Sequence, residues 1–425
     1  MAKTETETEE TYVRPKNVLI SNLRESQGKN DSHFEYDAST ISYKTGIPQL
    51  DYYLGYRVNI LDNPNDEDES YPSLGITGGS FVTFIGKSST GKTTAAVQIA
   101  ANIVRQFDSG LVMHFDLEQA MNYSRIQILS KMKTDELKDK YVLKQGNTSI
   151  NDIKKSILNI YYEKVNNPDL YKYNSGMKNE FGEEIHTFVP TVVIIDSIAT
   201  LTPGFNENDK KERTKAEEVS SQTERMRVTA EIGRLYSELM PLIRTANIIV
   251  IAINHIKTNP QLGFIPQPSE ILYLKQDETL PGGKAPTYLA HILIKFVAVG
   301  SEKYTKDENG FDGFGVRLEI IKSRVNQAGQ CVNLVYDKVR GIDPLRSTVF
   351  FAKDLGLTGG NKNKFYFISD PDKYFALTRI NEDFREDREL YKIMYRNVIP
   401  QLETVLSQVD TEELEALDEQ YDYSY

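Results

Sequence analysis

The chain has a single cysteine, Cys331, so no disulfide can form within it, and this usage fits a compartment that keeps thiols reduced. No apolar run approaches the roughly 20 residues that span a bilayer. The N-terminal MAKTETETEE is acidic and polar, unlike a secretory signal. These features predict a soluble, cytoplasmic protein. Positive charge is in deficit: 50 Lys and Arg stand against 61 Asp and Glu, a net charge of −11. Taken alone, that argues against a protein that coats nucleic acid through a basic surface. The acid is concentrated in ETETEE (5–10), NPNDEDES (63–70) and DTEELEALDEQYDY (410–423). Such runs usually form solvated tails or loops, which leaves the middle of the chain nearer neutral.

What is present suits a large core domain with smaller attachments: 425 residues, 39% of them apolar. The division expected is a flexible N-terminal arm or oligomerisation segment (1–40), a core (41–356), a small α+β C-terminal domain (357–409) and an acidic tail (410–425). GGSFVTFIG (78–86), LVMHFD (111–116), TVVIIDS (191–197) and NIIVIAIN (247–254) read as buried strands. Between them lie helical patterns: 92–107, with apolar Ala96, Ile99, Ala100, Ile103 and Val104, then 151–165 and 229–246. Residues 166–190 read as a polar surface insertion. Strands alternating with helices predict an α/β fold on a mostly parallel sheet. HILIKFVAVG, GVRLEIIKSR and CVNLVYD have little helix between them and read as antiparallel additions to one edge.

GKSSTGKTT (86–94) joins the first of these strands to a helix and matches G-x-x-x-x-G-K-S/T. Glycines let successive N–H groups turn inward, and the helix N-terminus adds its positive end. Gly86, Lys87, Ser88, Ser89, Thr90, Gly91, Lys92, Thr93 and Thr94 are therefore expected to cradle the phosphates of ATP, Lys92 at the β/γ-phosphates and the Thr93 hydroxyl on Mg²⁺. An ordinary glycine turn is the bland alternative. A phosphate-binding loop of this kind also needs an acid at the end of another parallel strand; Asp196 fits, as a metal-orienting residue or, more plainly, as a turn cap. Ser197 would assist it or cap. Glu118, in HFDLEQAMN, is the expected water-activating carboxylate, with Asp116 supporting the strand end.

GKSSTGKTT, FDLEQA, VVIIDSIATLTP, IVIAINHI, LPGGKA and IIKSR occur in the order and rough spacing of the RecA/UvsX recombinases. The resemblance runs from about residue 41 to 356; INH and KSR look more like the phage UvsX proteins. It implies a RecA-type ATPase core and a DNA-dependent ATPase. It places His255 as part of a γ-phosphate sensor, Arg125 against the adenine, and Lys322 and Arg324 as catalytic cations reaching a neighbouring subunit's ATP. It further implies two DNA-binding loops. The first, about 203–229, carries Lys210, Lys211, Arg213, Lys215, Arg225 and Arg227, amid many acids. The second, about 257–284, carries Lys257, Phe264, Gly282 and Gly283, and is about ten residues longer than the bacterial loop.

The function expected on that resemblance is ATP-dependent strand exchange: a helical filament of many copies on single-stranded DNA, tested against a homologous duplex. Single-strand-binding and mediator proteins are the further partners implied, and a phage origin would place the protein in a bacterial host's cytoplasm. Two other classes share part of the pattern. A ring-forming helicase would use the same phosphate turn and Asp196. An ATP-gated accessory DNA-binding protein would not need Glu118, Lys322 and Arg324.

Overall fold

Nine strands form a central sheet: β1 (Phe81–Gly86), β2 (Leu111–Asp116), β3 (Tyr141–Gln145), β4 (Thr191–Asp196), β5 (Ile248–His255), β6 (Ile292–Val299), β7 (Gly313–Lys322), β8 (Cys331–Asp337) and β9 (Gly341–Ile342). They lie in the order β9-β8-β7-β6-β1-β5-β4-β2-β3. From β6 to β3 every pairing is parallel. β7, β8 and β9 are added antiparallel at one edge, as the scarcity of helix between them predicts. The computed structural model describes residues 41–60, 70–146, 148–179, 182–202, 221–258, 274, 278–299 and 312–406, all within one compact unit. The expected N-terminal arm and acidic tail lie outside the described residues.

β1 and β4 are buried at every position, so both faces of the sheet need cover. On one face, α1 (Lys92–Arg105) packs Ala96, Ile99, Ala100 and Ile103 with Val82, Phe84, Ile194 and Ile251; Ile126 and Leu129 of α2 (Tyr123–Ser130) join the same core. On the other, α3 (Ile150–Asn166) and α4 (Ser221–Thr245) place Ile153, Ile157, Ile232 and Leu239 against Phe81, Val193, Ile195 and Val250. Neighbouring residues of one strand thus enter opposite cores, as the two-residue period of a strand requires.

The structure moves one expected boundary and adds a hairpin inside another expected segment. α4 begins at Ser221, not near 229, and Val228 carries the apolar spacing of Ile232, Leu235 and Leu239 back by one turn of that extension. Arg225 and Arg227 therefore stand on a helix and not in the expected loop. The segment read as a polar insertion holds a hairpin, Lys172–Lys178 with Glu184–Phe188, stitched to the core. Tyr173 and Tyr43 share a hydroxyl hydrogen bond of 3.1 Å, and the Asn247 amide donates to the Phe188 carbonyl at 2.6 Å.

Near the C-terminus, a three-stranded antiparallel sheet spans Thr358–Asn361, Lys364–Phe367 and Asp370–Phe375. It packs with α6 (Ile380–Glu386) and α7 (Glu389–Glu403) around Phe367, Phe375, Phe384 and Ile393. This core also takes in Val349 and Ala352 of α5 (Pro344–Asp354) and Tyr52, from before the expected boundary at 357. Among the described residues no helix is long and apolar enough to cross a membrane.

Candidate functional site

Because β1, β5, β4 and β2 are adjacent and parallel, their C-terminal ends open on one side of the sheet. In register, Gly86 lies beside His255, and Asp196 beside both Ile253 and Asp116. Ladder geometry alone thus gathers the GKSSTGKTT turn, Asp196, the residues after Asp116, and His255.

The turn itself is tightly built. Gly91 has φ +84°, and a Cβ there would stand 2.5 Å from the Tyr336 ring, so the position admits glycine on two counts. No side chain caps α1, whose first intrahelical bond runs from Ala95 N–H to the Gly91 carbonyl. The N–H donors of Lys92, Thr93 and Thr94 therefore point out of the helix end with its positive dipole. Lys92 is buried, and its ammonium donates to the carbonyls of Gly86 at 3.1 Å and Lys87 at 2.7 Å. Burial pushes its pKa down to about 8, against the upward pull of Asp196 and Glu118. Thr90 donates to the Lys87 carbonyl at 2.9 Å, while Lys87, Ser88 and Ser89 are exposed.

Asp196 has the opposite problem. Burial raises its pKa to about 6, Glu118 and Asp116 add to the rise, and the Thr93 hydroxyl, donating to Oδ2 at 2.6 Å, opposes it. Its other oxygen, Oδ1, is buried without a hydrogen-bond partner. A hydroxyl beside a half-satisfied carboxylate is a hard oxygen donor pair suited to Mg²⁺. Among the described residues no set of three His, Cys, Asp or Glu gathers to hold a metal unaided, so phosphate oxygens would have to complete the shell. A buried cation and a buried carboxylate side by side are the groups that a phosphate with its metal would each relieve.

Glu118 is partly exposed and held at one oxygen. Oε1 accepts from Ser197 Oγ at 2.8 Å and lies 2.8 Å from His255 Nε2. Asp116 plays the supporting part expected of it: its carboxylate accepts from Ala120 N–H, Met121 N–H and the Gln145 amide, fixing the turn that carries Glu118. Leu117 N–H donates to the Asp196 carbonyl at 2.7 Å, which ties that turn to β4. Asn254, fully buried, accepts from His255 N–H and donates to the Pro281 carbonyl at 2.8 Å.

The remaining expected residues fall elsewhere. Arg125 donates to the main-chain carbonyls of Lys338 and Val339, so its guanidinium bridges α2 to the β8–β9 turn beside the phosphate turn. Lys322 pairs across the ladder with Leu293, which pairs with Thr83, whereas Gly86 pairs with Phe296. Lys322 is thus set back by about 10 Å along the strands, and Arg324 lies beyond it, at the sheet end away from this chain's own phosphate turn. Gly282 and Gly283, both at positive φ, pack against Ile198 and Ile232 and against Thr229. Arg227 pairs with Glu231 at 3.1 Å. Lys257 is exposed. Lys210, Lys211, Arg213, Lys215 and Phe264, and the side chain of Arg225, lie outside the described residues.

Sequence reasoning passed over Tyr336, which floors Gly91, and Gln98, whose carboxamide reads Ile342 N–H and the Arg340 and Ile342 carbonyls and so fixes the β8–β9 turn to α1. Neither has a local signal: each is an unremarkable residue of a strand or helix until the ladder sets it beside the turn. No protein-family model matches the chain, and no curated protein matches it.

Proposed function

We propose that this chain is an ATP-dependent DNA strand-exchange protein of the RecA/UvsX type, hydrolysing ATP at the GKSSTGKTT turn and acting as a filament of many copies on single-stranded DNA. The observation that supports it most is the convergence of Lys92, Thr93, Asp196, Ser197, Glu118 and His255 at the ends of four adjacent parallel strands.

Bound ATP supplies the phosphoryl group and Mg²⁺ the charge that offsets its oxygens. Lys92, now on two carbonyls, would turn its ammonium to phosphate oxygens, and Thr93 and Asp196 would hold the metal. Ser197 and His255 engage Glu118 Oε1, which leaves Oε2 to take a proton from the attacking water. His255 neighbours Asn254, and Asn254 holds Pro281 at the exit of the second expected loop. A rearrangement at Glu118 therefore has a hydrogen-bonded path to that loop. Lys322 and Arg324 serve the nucleotide of an adjacent copy, so hydrolysis depends on assembly.

The test is ATP turnover without DNA, with single-stranded DNA and with duplex, beside Lys92→Ala. Strong stimulation by single strands that vanishes in the variant is the expected result. Rapid turnover indifferent to DNA would end the recombinase reading. Closed rings in electron micrographs of the DNA-free protein would favour a motor.

A further inference from the structure

Among the described residues three lysines are buried, and two of them have an acid at hand. Lys92 feels Asp196 and Glu118, and Lys295 meets Glu278 at 3.3 Å. Lys164, near the end of α3 and only 4% exposed, has no such partner. Its ammonium donates to the main-chain carbonyls of Val189 at 2.6 Å and Ala246 at 2.9 Å. Burial, with no carboxylate to oppose it, pushes its pKa down to about 7. An ammonium has three N–H donors, so these two bonds leave one over. A buried charge without an opposite charge is costly, and an anion placed beside it lowers that cost.

Lys164 also lines a cleft of about 370 Å³, a volume within the range of small-ligand sites. Leu111 and Met113 of β2 and Ile160 of α3 give the cleft apolar walls, while Lys144 of β3 and Glu163 of α3 bring further charge. Glu163 is already engaged: its Oε1 accepts from the Tyr171 hydroxyl at 3.1 Å and from the Asn167 amide at 3.2 Å. Lys144 is exposed, and its ammonium lies 3.1 Å from Ser156 Oγ. Two lysines against one glutamate leave a single positive charge to be matched. That suits a monoanion; a doubly charged phosphate would carry surplus charge into an apolar setting. The cleft is also remote from the phosphate turn. Leu111 and Thr191, both in its lining, open β2 and β4, whereas Asp116 and Asp196 close those strands about 16 Å further on.

We propose that this cleft binds a small organic monocarboxylate, with its carboxylate on the Lys164 ammonium and its apolar body against Leu111, Met113 and Ile160. The site stands independently of the nucleotide reading above.

The test is a calorimetric titration of the full chain with 2-naphthoate, beside 2-naphthamide, which keeps the shape and loses the charge. Naphthoate is expected to bind, and the amide to bind about tenfold more weakly or worse, the scale of one hydrogen bond to a charged group. A bound carboxylate holds Lys164 in its charged form, so affinity is full below about pH 7 and falls as pH rises above it. The other titratable groups along the cleft are Lys144, Glu163 and Tyr171. Lys164→Met abolishes binding. Lys144→Glu, at an exposed position, reverses the net charge of the lining and weakens binding by about tenfold; it carries the test should Lys164→Met fail to fold. Either variant binding naphthoate as the wild type does overturns the site, and so does equal binding of the amide. Affinity unchanged between about pH 6 and pH 9 would take Lys164 out of the contact and overturn it too. Displacement of naphthoate by a non-hydrolysable ATP analogue would put the probe at the phosphate turn, with the same consequence. A wild type that binds no naphthoate leaves Lys164 as a pin between α3 and two main-chain carbonyls, and no ligand site.

Discussion

Glu118 is held at one oxygen by two residues that lie far from it in the chain, Ser197 and His255. Removing the carboxylate and removing its orientation should therefore differ in degree. Glu118→Gln is expected to lower hydrolysis by about 10²–10⁴-fold with nucleotide binding intact, the range for loss of a positioned base. Ser197→Ala should cost about tenfold in the same assay, the scale of one hydrogen bond. A Glu118→Gln protein with full DNA-stimulated turnover would remove the carboxylate from the mechanism. Gly91 is constrained differently, by a positive φ and by the Tyr336 ring. Gly91→Ala is expected to lose about 2 kcal/mol of stability from backbone strain and displaced packing. It should also lose nucleotide binding; unchanged binding in a calorimetric titration would show that the turn tolerates a Cβ.

At the scale of elements, the helix Pro48–Leu54 depends on a buried acid. Asp51 Oδ1 accepts both the N–H and the hydroxyl of Thr45 at 2.6 Å each, while burial pushes its pKa up to about 7. A carboxyl whose folded pKa is raised stabilises the fold below its unfolded value and loses that contribution as pH climbs through the folded one. Between about pH 4 and 7 the wild type should therefore lose stability relative to Asp51→Asn, which keeps an acceptor at Oδ1. The difference should reach about 2–4 kcal/mol at neutral pH. Parallel melting curves for the two proteins across that range would contradict the shift. In α4, Leu239 is fully buried against the sheet, and Leu239→Ala should cost about 2–5 kcal/mol in denaturant unfolding.

For the whole molecule, the decisive geometry is the separation of Lys322 and Arg324 from the phosphate turn of their own chain. They sit at the start of the parallel strands, and the turn at their ends. If they act on nucleotide, it is nucleotide held by another copy, through a head-to-tail contact. Lys92→Ala and Arg324→Ala should each be inactive alone. Mixed in equal amounts they should recover roughly a quarter of wild-type turnover, the share of random contacts that pair an intact turn with an intact cation. A mixture no more active than its parts would place Arg324 outside the reaction.

The sequence by itself determined whatever depends on neighbours in the chain. The strand–turn–helix at 81–105 follows from burial pattern, glycines and helix period, and the edge strands β7 and β8 from the lack of helix between them. Asp196 and Glu118 were legible because strand ends are legible and parallel strands share an end. Tertiary structure decided what depends on the ladder. It set Ser197 and His255 on the same carboxylate oxygen, put Tyr336 beneath Gly91, and buried Lys295 against Glu278. It placed Arg227 on a helix with Glu231 instead of in a loop. Local pattern encodes whether a residue faces a core. Which distant residue it meets there is set by strand order and register, and those follow only when the two faces of the sheet are packed together.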